Sequence, residues 1–272
     1  MIRTVVIGAA GRMGQALVKQ VLESDALQLA GAVDVKDCPA VGQDAAQVAG
    51  LSACGIPITA DLAAALADAD AVIDFSAREA TCANAATAVK ADCAVVIGTT
   101  GLDEAERDTL AQLTDRGGRI VFAPNMSVGV NLLFHLCDEV TRILGPDYDI
   151  EVVEMHHNRK KDAPSGTAER LGEILAAARG LDYKADARHG RVGHVGARTR
   201  NEIGLHALRG GDVVGDHTVI FAAEGERVEL THKASSRDTF AKGAVRAVAF
   251  LADATPGLYD MQDVLGIKKD RG

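Results

Sequence analysis

Apolar β-branched runs alternating with helical runs, a Gly-rich turn between the first strand and the first helix, and a later clustering of strands together predict an α/β fold. The first half reads as a Rossmann-type doubly wound parallel sheet, because repeated β-α-β units pack helices on both faces of such a sheet. After Asn125 the rhythm changes, and grouped strands predict a second α+β domain built on a mixed sheet. The expected boundaries are 1–126 plus 240–272 for one domain and 127–239 for the other.

Ile2 to Ile7 is an apolar, β-branched strand. Gly11 to Glu23 is predicted helical, since Met13, Leu17, Val18, Val21 and Leu22 recur on one face. Leu29 to Val33, Ala71 to Phe75, Ala94 to Ile97 and Arg119 to Ala123 read as further strands, with helices at Glu79 to Lys90 and Glu104 to Leu113. In the second domain, Val130 to Leu144 is a long amphipathic helix with Leu133, Leu136, Val140 and Leu144 in register. Tyr148 to His156 is predicted as a strand and Thr167 to Ala178 as a helix. Gly204 to Leu208, Thr218 to Ala222 and Val228 to Thr231 are strand-like, and Thr239 to Ala252 is a final helix. The Gly-rich, charged stretch from His189 to Arg200 reads as a long loop, a length often kept for function.

Composition narrows the function classes. The 272 residues are 47% hydrophobic but only 3% aromatic, with no Trp, so the core must be built from Ala, Val, Leu and Ile. That suits close-packed helices over a parallel sheet. A net charge of -9 repels phosphate backbones and anionic lipid, which argues against nucleic acid or membrane partners. An anionic substrate must therefore meet a local basic cluster. The five cysteines, at 38, 54, 82, 93 and 137, have neither metal-ligand nor C-x-x-C spacing and read as free thiols in a reducing compartment. With no secretory signal and no apolar run near the ~18 residues that span a bilayer, the expected location is cytoplasmic.

The first strand runs into Gly8-Ala9-Ala10-Gly11-Arg12-Met13-Gly14, which opens the first helix. Small residues there let backbone N–H groups approach a pyrophosphate, and the helix N-terminus adds partial positive charge. Asp34 ends the second strand, 20 positions after Gly14, where a carboxylate accepts hydrogen bonds from the adenosine ribose. A strand-end turn residue is the plainer reading of Asp34, but with the Gly turn in place the cofactor role is favoured. Because a carboxylate repels a 2′-phosphate unless Lys36 folds over it, NADH is expected to serve at least as well as NADPH. Gly98-Thr99-Thr100-Gly101 also follows a strand and either lines the nicotinamide ribose or is an ordinary turn.

The basic cluster lies in Glu154-Met155-His156-His157-Asn158-Arg159-Lys160-Lys161-Asp162-Ala163-Pro164-Ser165-Gly166-Thr167. Hydroxyls of Ser165 and Thr167, with the unpaired N–H groups of a helix start, make an anion pocket. A His titrates near neutrality and can protonate a substrate under reduction, and a Lys ammonium can polarise an imine nitrogen. Taken singly, the charge run reads as a solvated loop and Ser-Gly-Thr as a helix cap. A metal site is not expected, since no H-E-x-x-H or Cys/His partner set accompanies the His pair.

With these residues in view, the whole chain resembles the 4-hydroxy-tetrahydrodipicolinate reductase (dihydrodipicolinate reductase) family of lysine biosynthesis. The most specific match is Glu154 to Ala168, supported by Gly8 to Gly14, Gly98 to Gly101, Asn125 to Asn131, Arg209-Gly210-Gly211-Asp212 and His232 to Arg237. The resemblance implies that His156 is the proton donor and Lys160 the second catalytic cation. It implies that His157, Ser165, Gly166 and Thr167 bind the substrate's carboxylates and ring. Gly8, Ala9, Ala10, Gly11, Arg12, Met13, Asp34, Gly98, Thr99, Thr100, Ala123, Pro124, Asn125 and Met126 would line NADH or NADPH in the first domain. The implied reaction delivers hydride to a cyclic dicarboxylate imine, giving tetrahydrodipicolinate and water. Members are usually homotetramers joined through the second domain's sheet. Many carry Arg where this chain has Val35, and Pro after Asp-Phe-Ser/Thr where it reads Ala77-Arg78. The competing expectations are another nicotinamide-dependent dehydrogenase and a nucleotide-sensing module without catalysis.

Overall fold

Alternating side chains of the first strand enter two different cores, and this sets the architecture of the N-terminal half. The computed structural model describes residues 1–268. They form two units, Met1–Val128 with the chain from Arg237 onward, and Gly129–Ser236.

The first unit begins β1 (Ile2–Ile7), α1 (Arg12–Leu22), β2 (Leu27–Val33), α2 (Ala45–Val48), β3 (Ile58–Thr59) and α3 (Leu62–Ala65). It continues β4 (Ala71–Asp74), α4 (Arg78–Lys90), β5 (Ala94–Ile97), α5 (Glu104–Thr114) and β6 (Arg119–Phe122). Val6, Ile73, Val96 and Val121 point into one core with Leu17, Val18 and Val21 of α1. Val5, Val72, Val95 and Ile120 point the other way, onto Ala85 and Ala88 of α4 and Leu110 and Leu113 of α5. A strand buried on both faces reads as a continuous apolar run rather than an alternating one, as these do.

Arg78, where the family resemblance leads one to expect Pro, is the first residue of α4, after an extended Ala77 at φ -81°, ψ 145°. That position suits Pro because its N–H has no intrahelical partner. Arg78 keeps the helix start and adds ion pairs to Glu106 at 2.8 Å and Asp103 at 2.5 Å, tying α4 to the capping box that opens α5.

The second unit contains α6 (Val128–Leu144), a 3₁₀ turn at Gly145–Asp147, β7 (Asp149–His156), α7 (Gly166–Arg179), α8 (Tyr183–Asp186), β8 (Ala187–His189), β9 (Ile203–Arg209), β10 (Gly215–Ala223) and β11 (Glu226–Ala234). Its sheet runs β11-β10-β7-β9-β8 and is mixed: β7 is antiparallel to β10 and parallel to β9. Helices α6 and α7 cover one face, burying Val130, Leu133, Leu171 and Leu175 against Ile150, Val152, Val219 and Phe221. Along β7 the same face carries Ile150, Val152, Glu154 and His156, all buried, so the apolar row gives way to polar groups at its C-terminal end. The expected loop begins one residue later than His189 and is pinned rather than free. Arg191 and Arg198 reach Glu151 at 2.6 and 2.9 Å, and His206 meets the same carboxylate at 2.6 Å. Burial pushes Glu151 up, but these hydrogen bonds prevail and hold it at about 2.

The chain then returns to the first unit through α9 (Asp238–Ala252), β12 (Gly257–Tyr259) and α10 (Met261–Leu265). The first sheet is thus seven-stranded and parallel, in the order β12-β6-β5-β4-β1-β2-β3. Helix α9 lies on the α1 side, where Ala241, Ala244 and Ala247 are fully buried. The elements not anticipated from sequence (α2, β3, α3, α8, β8, β12 and α10) span two to five residues, too few for a helical or strand period to register.

Candidate active site

In the first unit, strand order places the C-terminal ends of β1, β2, β4, β5 and β6 along one edge, with the direction of winding reversing between β1 and β4. Ligands of doubly wound sheets bind at such an edge. Gly8 has φ +76°, and a Cβ on Gly14 would lie 2.0 Å from the Gly8 carbonyl oxygen, so neither position accepts a side chain without moving backbone. The turn's own N–H groups are largely spoken for. Those of Gly8 and Ala9 donate to Val33 O, that of Gly11 to Gly8 O, and that of Ala10 to Asp34 Oδ2 at 2.8 Å. The N–H groups suited to meet an anion are therefore those at the start of α1, at Arg12 and Met13, where Gly11 supplies no side-chain cap. Asp34 also accepts from Val35 N at 2.8 Å through its other oxygen, which leaves lone pairs on both for ribose hydroxyls.

At the end of β5, Gly98 is required by packing: a Cβ there would stand 2.0 Å from the Phe75 ring. Thr99 is buried and its Oγ1 has no hydrogen-bond partner among the described residues, an orphan that a ligand hydroxyl would satisfy; Thr100 is exposed. After β6, Ala123 N donates to Ile97 O, Pro124 is exposed, and Asn125 Oδ1 accepts from Ser127 N at 2.9 Å. Met126 is packed in the core, where its carbonyl would lie 1.8 Å from a Cβ on Gly243. The rigid glycine turn, the uncapped helix start, the partly used Asp34 and the orphaned Thr99 hydroxyl fit a dinucleotide.

The second unit assembles a compact polar cluster at the end of β7. Strand register does this: His156 lies opposite Arg209 on β9, and Glu154 opposite His217 on β10. Arg209 makes a two-pronged pair with Glu154, both contacts at 2.9 Å. His156 Nδ1 donates to Glu154 Oε2 at 2.6 Å, and Ser165 N donates to Glu154 Oε1 at 3.1 Å. Burial pushes the Glu154 carboxyl up, but the bonds from Arg209 and His156 outweigh it and hold it below its usual value. An ionised Glu154 can only accept, so it keeps a proton on Nδ1 of His156 and leaves Nε2 as the ring nitrogen turned away from it. Gly215 keeps that nitrogen clear, since a Cβ there would lie 3.0 Å from it.

Ser165 caps α7, its Oγ accepting from Ala168 N at 3.2 Å. Gly166 and Thr167 then form the first turn of a 14-residue helix, an end whose N–H groups and dipole favour an anion. His157 N donates to Val213 O at 2.8 Å, which anchors the segment after β7. Lys160 turns to Asp162 at 2.7 Å, whereas Arg209 reaches the Asp162 carbonyl at 2.6 Å. Sequence reasoning assigned no role to Glu154 or Arg209, although both lie in the segments quoted, and passed over His217. That last residue had a signal: Gly215, His217, Val219 and Phe221 alternate into the core, one step beyond the predicted strand start. Among the described residues, no group of three or more His, Cys, Asp or Glu side chains is arranged to hold a metal ion, and no helix is long and apolar enough to cross a membrane.

Comparison with known proteins agrees along the whole chain. The family models for dihydrodipicolinate reductase match residues 2–126 with its N-terminal part and 129–265 with its C-terminal part. The 4-hydroxy-tetrahydrodipicolinate reductase of Cupriavidus necator is 53% identical over 263 residues, covering 97% of this chain and 98% of that protein. That of Syntrophotalea carbinolica is 49% identical over 268 residues, covering 98% and 100%. The dipicolinate-bound dihydrodipicolinate reductase from Paenisporosarcina sp. TG-14 shares the fold, with a TM-score of 0.78 over 97% of this chain and 98% of that one at 23% identity. On these matches, and on the two sites built from its own residues, the chain belongs to the dihydrodipicolinate reductase family.

Proposed function

We propose that the chain reduces 4-hydroxy-tetrahydrodipicolinate (dihydrodipicolinate) to tetrahydrodipicolinate with NADH or NADPH, in lysine and diaminopimelate biosynthesis. The observation that carries this is the Arg209–Glu154–His156 chain of hydrogen bonds beside the α7 helix start, which sets a proton donor next to a carboxylate seat.

Bound nicotinamide supplies the hydride. Arg12, Met13, Asp34 and Thr99, with Gly8 to Gly11, Gly98, Thr100 and Ala123 to Met126 around them, hold the cofactor in the first unit. Ser165, Gly166 and Thr167 receive a substrate carboxylate at the α7 N-terminus, and His157 completes the ring's seat. A ring that takes hydride on one carbon needs a proton to become neutral again. His156 delivers it from Nε2 and recovers one from solvent, while Glu154 stabilises the imidazole through Nδ1. Lys160, steadied by Asp162, supplies the second cation near the ring. The balance is one substrate, one reduced cofactor and one proton in; tetrahydrodipicolinate, oxidised cofactor and water out.

Purified protein should consume NADH when the substrate is made in situ from pyruvate and aspartate semialdehyde. Tight NADH binding without turnover would refute the reading and favour a nucleotide sensor.

Asp34 and the exposed Val35 support NADH serving at least as well as NADPH. Introducing the Arg of many relatives, Val35→Arg, should tighten NADPH about tenfold through a charge-assisted bond to the 2′-phosphate, with NADH little changed. Titrating the fluorescence of both reduced cofactors checks this. A homotetramer joined through the second sheet is supported by the face opposite α6 and α7, which carries Val153, Met155, Ile220 and Leu208, the last 49% exposed. Light scattering of the purified chain gives the mass.

A further inference from the structure

We propose that His217 is a positioning residue that commits the Ser165 hydroxyl to donate toward the substrate carboxylate. This rests on the reading of Ser165 as part of the carboxylate seat.

A serine hydroxyl has one proton and two lone pairs. Ala168 N–H occupies one lone pair of Ser165 Oγ, and His217 Nε2 stands 3.1 Å from the same oxygen. Neutral His217 has two tautomers with opposite consequences. With its proton on Nδ1, Nε2 would accept the Ser165 proton, and the hydroxyl would turn only a lone pair toward a ligand, which repels a carboxylate. With its proton on Nε2, His217 fills the second lone pair of Ser165 Oγ and leaves the hydroxyl proton free to donate.

The surroundings of Nδ1 decide between them. It is buried with no hydrogen-bond partner among the described residues. A buried N–H without an acceptor is rarer in folded proteins than an acceptor left unpaired. The proton therefore resides on Nε2, and Ser165 faces the ligand as a donor.

Neutrality is built in as well. His217 is 3% exposed and its ring stands edge-on to His156, with centroids 5.2 Å apart. Burial lowers its pKa first, then the neighbouring His156, with His232 and Lys160 adding to the effect and Glu154 opposing it, and the result is about 4. Unfolded chain binds a proton near pH 6.5 that folded chain refuses until about pH 4, so His217 takes stability away as pH falls through that window.

The test uses the full chain with NADH present and pyridine-2,6-dicarboxylate as probe. His217→Leu should weaken probe binding about tenfold, the worth of one oriented bond to a charged group, with the Kd for NADH unchanged. His217→Gln, whose amide donates from near the Nε2 position, should restore most of it. Ser165→Ala should weaken binding by a similar factor, and adding His217→Leu to it should cost nothing more. Effects that simply multiply in the double variant overturn the role of His217 while leaving the Ser165 seat intact. Normal probe binding by Ser165→Ala overturns the seat itself. Where His217→Leu fails to fold, histidine ¹⁵N shifts of the unmodified chain decide: a proton on Nε2 supports the proposal and one on Nδ1 refutes it.

Discussion

His156→Gln should lower turnover by ~10²–10⁴-fold, the usual worth of a positioned general acid. The structure sharpens the reason. In the proposed role the proton leaves from Nε2, because Nδ1 is engaged with Glu154 at 2.6 Å, and Glu154 is itself held in a two-pronged grip by Arg209. A glutamine can still bond to Glu154 but has no titrating proton to give. Affinity for NADH should be unchanged, since the residues that fit the dinucleotide all belong to the other unit. Steady-state kinetics at saturating substrate, with NADH binding measured separately, checks both halves. Unchanged turnover removes His156 from the mechanism. Glu154→Gln gives the complementary result: it should weaken turnover and also stability, because it leaves the Arg209 guanidinium without its carboxylate in a largely buried site.

Gly14→Ala should damage both the packing of the first unit and its cofactor site. Its Cβ would stand 2.0 Å from the Gly8 carbonyl oxygen and 2.6 Å from the Ala9 Cα. Both are backbone atoms, so no rotamer change relieves the clash, and α1 must move away from the end of β1. Overpacking of this kind costs about 1–3 kcal/mol. The same movement separates Ala10 N from Asp34 and displaces the N–H groups of Arg12 and Met13, so NADH affinity should fall by at least about tenfold. Urea unfolding and NADH titration measure the two effects. A contrasting variant is Gly101→Ala: among the described residues no atom outside its chain neighbours lies within 4 Å of the added Cβ, so any effect comes from its φ of +84°. Wild-type affinity and stability in Gly14→Ala would refute the close packing of turn and helix.

Much of the site was readable locally. The Gly8 to Gly14 turn lies between a strand and a helix, and His156 to Thr167 is one contiguous segment ending at a helix start, so both declare themselves within a dozen residues. Glu154 and His156 share a face because strand side chains alternate with period two. Arg78 shows the limit of local reading. Its place at the first turn of α4 follows from sequence spacing, but its ion pairs to Asp103 and Glu106 cross 25 and 28 residues.

Sequence by itself determined the order of the longer elements, the change from a parallel to a mixed sheet, the cofactor class and the family, because periodicity and motif spacing are properties of short windows. Tertiary structure alone decided which groups meet. Arg209 reaches Glu154 from 55 residues away, and His217 reaches Ser165 from 52, because β9 and β10 flank β7 in a definite register. It also decided that Lys160 faces Asp162, that the Ala10 N–H goes to Asp34, and that Gly98 makes room for Phe75. The physical reason is that strand pairing is non-local: a shift of one residue would turn Glu154, His156 and His217 to the opposite face, and only the packed core of Ile150, Val152, Val219 and Phe221 fixes which face that is.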